Sequence, residues 1–480
     1  MQRVELVFVP APGIGHLVSM AEFAKRLLER DARLSMTILV MVTEFTSNVS
    51  AYARSLQGSK NNRVRYIYLP QTDCPFEEEQ KKSVENAVSR LMESYKPHVK
   101  DAITKHVLSD SETKLAGLVG DFFCTCMIDV AKEFNVPPYL FFTSGAASLG
   151  FMMLYMPIYH NKFKKVFEFS DDPYDVPTFA NHVPSNVLPS AVYDKEGGGY
   201  DCFLKHGILF NETKGIIINT FSELETHAID VLASDKNIPP IYPVGPILDL
   251  KNAKKGSMEE CENIMKWLDD QPPSSVLFLC FGSLGGFEPP QIVQIAIALK
   301  RSGLRFLWSI RPPKAKKIPR NGSTDCSNNN LDNGALFPKG FLKETKDIGM
   351  ICGWAPQVDV LAHKAIGGFV SHCGWNSILE SIWFGVPIAA WPIYAEQQLN
   401  AFQIVKELGL AEEIKMDYRI INDVIVGADE IEKAITSLME KDNPIRKRFA
   451  EMKEKSRSAV CDGGSSFASV GCFIEKIMEE

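Results

Sequence analysis

The sequence predicts an α/β protein with two doubly wound halves, each a parallel sheet with helices on both faces. Three observations carry that expectation. Strand-like runs alternate with helical runs through the first third of the chain. The alternation restarts after residue 250. And 480 residues exceed what one hydrophobic core organises, so two domains are expected.

The elements follow in order. "ELVFVP" (5–10) is a short apolar run closed by proline, a strand. "LVSMAEFAKRLLER" (17–30) carries its apolar residues three and four apart, a helix, and "MTILVMV" (36–42) is again β-like. "LAGLVG" (115–120), the helical "CMIDVAKEFN" (126–135) and "PYLFFT" (138–143) repeat the pattern. In the second half "SVLFLCFGS" (275–283) leads into the helix "PQIVQIAIALKRSG" (290–303) and the strand "RFLWSI" (305–310). "GGFVSH" (367–372), the helix "SILESIWFG" (377–385) and "VPIAAWP" (386–392) complete it. The polar "YPVGPILDLKNAKKGSMEE" (242–260) reads as the connection between halves. The expected division is a first domain over 1–247, a linker over 248–260, a second domain over 261–460, and a final helix over 461–480 returning to the first domain. "RNGSTDCSNNNLDNG" (320–334) is too polar to pack and reads as a loop.

Composition narrows the class. Lys and Arg number 52 against 59 Asp and Glu, a formal charge of −7, which argues against nucleic acid or an anionic membrane as the main partner. Eleven cysteines without framework spacing suggest free thiols and a cytoplasmic protein. The N-terminal "MQRVELVFVPAPGIGH" lacks the long apolar segment and cleavage site of a signal peptide. Tyr139 to Tyr159 is uncharged and long enough to span a bilayer, but Ser144-Gly145, Gly150 and Pro157 break it. A buried strand end followed by an apolar helix is expected there, with no membrane insertion. The N-x-S/T triplets at Asn48, Asn211 and Asn321 read as chance matches.

Ligands of open α/β sheets bind beyond the carboxyl ends of the strands, which directs attention to four places. "PAPGIGHLV" (10–18) resembles a dinucleotide-binding turn, but Val18 stands where the third glycine belongs. His16 opens the helix there, and Asp121 ends a strand of the same half. A carboxylate on one imidazole nitrogen fixes the tautomer and leaves the other nitrogen to take a proton, so His16 with Asp121 reads as a general-base pair. "FGSLGGF" (281–287) offers backbone N–H groups and the Ser283 hydroxyl to an anion. In "SHCGWNSILES" (371–381), His372 ends a strand while Asn376 and Ser377 stand at a helix N-terminus that favours phosphate. Ser377 and Glu380 also fit a capping box, so Glu380 has two competing assignments. Adjacent His372 and Cys373 diverge and lack companion ligands, so neither a metal site nor a catalytic cysteine is expected.

The run from Trp354 to Gln397, "WAPQVDVLAHKAIGGFVSHCGWNSILESIWFGVPIAAWPIYAEQ", resembles over all 44 positions the signature box of plant secondary-product UDP-glycosyltransferases. "PAPGIGH", "PPIYPVGPI" and "WLDDQPPSSVLFLCFGS" extend the resemblance along the chain. It implies the GT-B fold, two Rossmann-like domains facing across a cleft, with the acceptor mainly on the first domain and the donor on the second. It further implies that Trp354 stacks on uracil with Gln357 beside it and that Glu380 holds the ribose. Ser283, His372, Asn376 and Ser377 would grip the diphosphate. Trp375, Glu396 and Gln397 would contact the sugar, with Thr143 reaching from the first domain, while Ala355 and Gly374 complete the donor-binding set. His16 corresponds to the family's catalytic base and Asp121 to its partner. The implied reaction is inverting transfer of glucose from UDP-glucose, as co-substrate, to a hydroxyl of a small apolar phenolic, flavonoid or terpenoid. No further cofactor and no metal are expected, and the enzyme is expected to act as a monomer. An NAD(P)-dependent oxidoreductase and a non-catalytic binding protein are the alternatives; the missing glycine counts against the first and the His16–Asp121 pair against the second.

Overall fold

The computed structural model describes residues 3–41, 52, 62–250, 258–282, 285–311, 336–420 and 424–479. Ser283, Asn48, Asn321, the 320–334 run and most of the 248–260 linker lie outside these residues. The chain divides into two units. One comprises Met1–Ser185, Ser190–Asp249 and Ser456–Glu480, the other Asn186–Pro189 and Leu250–Lys455. The second boundary therefore falls inside the helix Pro444–Val460, five residues before the expected final segment.

The first unit is built on a seven-stranded, wholly parallel sheet in the order β3-β2-β1-β4-β5-β6-β7. Its strands are β1 Arg3–Val9, β2 Leu34–Met41, β3 Val64–Leu69, β4 Thr113–Asp121, β5 Pro138–Phe142, β6 Ile216–Ile218 and β7 Ile241–Pro243. β1, β2, β4 and β5 are buried on both faces, which explains why they read as continuous apolar runs rather than alternating ones. The helix after β1 starts at Ile14 rather than at residue 17, so His16 lies in its first turn. A 23-residue helix, Val84–His106, covers the sheet before β4; Ser83 caps it by accepting from Asn86 N at 3.2 Å.

The apolar stretch from Tyr139 forms β5 and then turns through Thr143–Gly145 into helix Ala146–Gly150. A π-helical turn, Phe151–Tyr155, and helix Met156–Phe163 follow. Among the described residues no helix is long and apolar enough to cross a membrane. The last helix, Ser465–Glu479, packs within the first unit. Phe473 inserts its ring among Phe23, Tyr139 and Tyr242 at 5.1–5.9 Å, and the Arg30 guanidinium lies 3.3 Å from the Phe467 ring centre. Full burial of one such phenylalanine is worth roughly 2–3 kcal/mol, and Val470, Ile474 and Ile477 of the same helix are buried beside it.

The second unit carries a six-stranded parallel sheet in the order β10-β9-β8-β11-β12-β13. These strands are β8 Val276–Cys280, β9 Arg305–Ser309, β10 Gly349–Cys352, β11 Ile366–Ser371, β12 Ile388–Ala390 and β13 Ala411–Glu413. Strand order reverses between β1 and β4 in one sheet and between β8 and β11 in the other. Those reversals open the crevices in which doubly wound sheets bind ligands.

Candidate active site

In the first unit Val9 of β1 pairs with Gly120 of β4, so the carboxyl ends of both strands abut at the switch point. His16 follows one strand end and Asp121 closes the other. The His16 Nδ1 atom lies 2.8 Å from Asp121 Oδ2, and Asp121 Oδ1 accepts from Phe123 N at 3.2 Å. Asp121 is fully buried whereas the His16 side chain is 27% exposed, so the carboxylate orients the ring without itself meeting solvent. An ionised carboxylate only accepts, which puts the imidazole proton on Nδ1 and a lone pair on Nε2. Thr143 Oγ1 stands 3.4 Å from the same Nδ1.

Gly13 is required for this arrangement. A Cβ at that position would come within 2.8 Å of His16 Cδ2. The glycine-rich turn thus leaves space for the imidazole.

Two residues missed by the sequence reading sit beside His16. Phe122 and Phe123, whose ring centres are 4.0 Å apart, lie 5.8 and 6.4 Å from the His16 ring, and both are half-buried. The signal available was their position directly after a strand-ending aspartate.

In the second unit the pairing of Ser371 with Cys280 brings the ends of β11 and β8 together. The backbone then turns sharply at Cys373, which adopts φ +61°, and Gly374 serves as N-cap of helix Trp375–Phe384. His372 is buried in this turn against two glycines. A Cβ on Gly282, whose φ is +76°, or on Gly374 would lie 2.6 Å from its Nε2. Burial lowers the His372 pKa to about 4, so the ring is neutral at physiological pH. Its buried Nδ1 has no hydrogen-bond partner among the described residues, which suits a group that awaits an anion or another polar ligand. Cys373 is wholly buried, and that burial raises its thiol well above the usual range. It is inert, and its contribution is the left-handed corner of the turn.

The helix begins at Trp375, two residues before the expected start, which removes the capping box from the two competing assignments of Glu380. Ser377 occupies the third helical position, and the N-cap Gly374 receives no side-chain hydrogen bond. The Gln357 amide donates to Ser377 Oγ at 2.8 Å and to Glu380 Oε2 at 2.6 Å. Glu380 is therefore joined to the helix Gln357–Ala362, which Gln357 opens. Trp354 and Ala355 lie just beyond β10. Gly353 N and Trp354 N both approach Glu260 Oε1, at 3.2 and 3.5 Å, so Glu260 steadies the segment that presents Trp354.

Gln397 is 4% exposed, and its Oε1 accepts from Ile393 N and Tyr394 N at 3.0 and 3.1 Å. Only its NH2 group remains to meet a ligand. Buried Asn400 donates to Cys373 O at 3.1 Å and reaches Glu396 Oε1 at 3.5 Å, tying Glu396 to the His372 turn. Trp375 is buried and Asn376 half-buried at the helix start. Ser283 lies outside the described residues. Among the described residues no three His, Cys, Asp or Glu side chains cluster as metal ligands would.

Two Rossmann-like domains, each with polar side chains at its switch point, make this a doubly wound α/β protein with a candidate ligand site in each domain. Residues 247–443 match the family described as UDP-glucoronosyl and UDP-glucosyl transferase. UDP-glycosyltransferase 71K1 of Malus domestica is 50% identical over 486 residues, covering 100% of this chain and 99% of the relative. The UDP-glucose flavonoid 3-O-glucosyltransferase 6 of Fragaria ananassa is 48% identical, covering 98% of each chain. The crystal structure of Medicago truncatula UGT71G1 complexed with UDP-glucose superposes with a TM-score of 0.88 at 47% identity, covering 99% of this chain and 98% of that one. The chain belongs to the UDP-glycosyltransferase family.

Proposed function

We propose that the enzyme transfers glucose from UDP-glucose to a hydroxyl of a small apolar plant metabolite, a phenolic, flavonoid or terpenoid, inverting the anomeric carbon. The observation that carries this reading is the His16–Asp121 pair, in which a buried carboxylate holds Nδ1 at 2.8 Å and so fixes the tautomer with its lone pair on Nε2. A phenol with pKa near ~10 is protonated at neutral pH and needs a base within hydrogen-bond reach. The acceptor proton passes to His16 Nε2 as its oxygen bonds to the anomeric carbon. The bond from that carbon to the diphosphate oxygen breaks, and UDP departs with the electron pair from the opposite face.

On the second unit the uridine is assigned to Trp354 and Gln357, and the ribose to Glu380. The diphosphate falls to His372, Asn376, Ser377 and Ser283, with Ala355 and Gly374 in the same set. The helix N-terminus at Trp375 carries positive dipole charge toward the leaving group. Neutral His372 contributes an N–H rather than a full charge. Trp375, Glu396 and the Gln397 NH2 are assigned to the glucose hydroxyls, and Thr143 to the active-site rim beside the base. With these groups carrying the charge, no metal or further cofactor is required. A single chain holds all of them, so a monomer suffices. No two of the described cysteines are joined in a disulfide, which suits a cytoplasmic enzyme.

His16→Ala tests the reading. UDP release from UDP-glucose with a phenolic acceptor is expected to fall by about two to four orders of magnitude, while UDP affinity stays unchanged. Near wild-type turnover sinks the base assignment. Loss of UDP binding instead points to misfolding or to a donor role.

A further inference from the structure

The turn that presents Thr143 to His16 has little to hold it in place. Gly145 is the N-cap of helix Ala146–Gly150 and provides no side-chain cap. The Ser144 hydroxyl is buried without a partner among the described residues. The first N–H groups of a helix need outside acceptors. Here both come from one residue almost eighty positions later. Glu225 is 3% exposed; its Oε2 accepts from Ala146 N at 2.8 Å and its Oε1 from Ala147 N at 3.0 Å. Thr178 Oγ1 donates to Ala147 O at 2.9 Å and closes the clamp from the other side.

We infer that Glu225 is a positioning residue for the transfer reaction, fixing the Thr143–Gly145 turn so that Thr143 bears on the His16 ring. The inference rests on the proposed catalytic role of His16 and on Thr143 acting beside it. A carboxylate suits the task for two reasons. Its two oxygens can take two successive N–H groups at once, and its negative charge is favoured at a helix N-terminus. Both bonds lie in a buried setting, where charge-assisted contacts are stiff as well as strong. The stiffness is transmitted over three residues: Ala146 is pinned, Gly145 and Ser144 follow, and Thr143 Oγ1 is set 3.4 Å from Nδ1. Loosening that pin lets the imidazole rotate about its bond to Asp121 and misdirects the Nε2 lone pair.

A Glu225→Gln substitution keeps the shape but offers an NH2 where one N–H now finds an oxygen. The test is a double-mutant cycle with Thr143→Ala, reading kcat, both KM values and Tm. Positioning predicts that Glu225→Gln lowers kcat about tenfold in the wild-type background and less than about twofold in the Thr143→Ala background. The Tm shift is expected to be equal in both backgrounds. Equal fold-losses of kcat in the two backgrounds, or a Tm loss with kcat unchanged, overturn the inference and leave Glu225 as a helix cap alone. A Thr143→Ala enzyme with wild-type kcat overturns the earlier reading of Thr143 and this inference with it. Glu225→Asp, charged but one methylene shorter, carries the same cycle if the amide variant does not fold.

Discussion

Replacing Asp121 by Asn isolates the electrostatic half of the proposed base. The change is nearly isosteric at a fully buried position, and the amide oxygen can keep the bond from Phe123 N. The amide NH2 then faces His16 Nδ1, which must shed its proton and move it to Nε2, the nitrogen that should receive the acceptor proton. The variant also removes the charge that stabilises the imidazolium. With charge centres roughly 4 Å apart, that attraction is ~4 kcal/mol at an effective dielectric of about 20. His16 is 27% exposed, so part of it is screened. About 2–3 kcal/mol remains, corresponding to an about 30- to 150-fold lower kcat before the tautomer penalty is added. The assay is initial-rate UDP release with two acceptors of similar shape, an ordinary phenol and an electron-poor phenol already ionised at the assay pH. The ordinary phenol should suffer at least an about hundredfold loss, whereas the pre-ionised one needs no base and should lose far less. Equal losses for both acceptors would refute proton transfer as the function of the pair.

Three further outcomes follow from the second unit and the buried histidines. Gly374→Ala places a methyl 2.6 Å from His372 Nε2; calorimetric titration should show UDP binding weakened about tenfold, with acceptor KM unchanged. Gln397→His replaces an oxygen that serves two N–H groups by a ring nitrogen that serves one, so Tm should fall while donor competition shifts toward UDP-galactose. An unchanged donor ratio counts against a sugar-contacting role. Burial holds His372 and His206 neutral, with pKa values of about 4 and about 3. The unfolded chain protonates both near 6.5, so stability is full above that pH and declines as pH falls from about 6.5 toward about 4 for His372 and about 3 for His206. Denaturant titrations without UDP should show a loss of a few kcal/mol between about pH 7 and 4.5, with a shallower slope in His206→Gln.

What could be read in advance was what local pattern determines. β1, β4, β8 and β11 are buried runs with clear ends, so the residues just past them, His16, Asp121 and His372, stood out. Strand β3 and helix Val84–His106 were not read: β3 is half-buried along most of its length, and Pro97 inside the helix breaks its pattern. Local pattern left alternatives open where a distant partner decides. S-x-x-E at Ser377 is a sound local capping signal, but the left-handed Cys373 starts the helix earlier and Gln357, twenty residues upstream, takes both side chains. Glu260, Asn400 and Glu225 belong to the same class. Each acts on backbone or side chains of another element, and nothing in its own neighbourhood marks it.

The two histidines also show how one topological position yields different chemistry. In each sheet, the residues leaving the two strands at the switch point are neighbours. In the first unit that neighbour is a buried carboxylate 2.8 Å from His16 Nδ1, while the His16 ring stays open to solvent. In the second unit the neighbours of His372 are glycines, which give space but no charge. Desolvation then goes uncompensated and suppresses protonation. A histidine so placed is fitted to donate an N–H to a ligand and unfitted to store a proton during turnover. Exchanging the two roles would take more than moving an imidazole. It would require a carboxylate at Gly282, where a left-handed φ and a ring 2.6 Å away leave no room for any side chain.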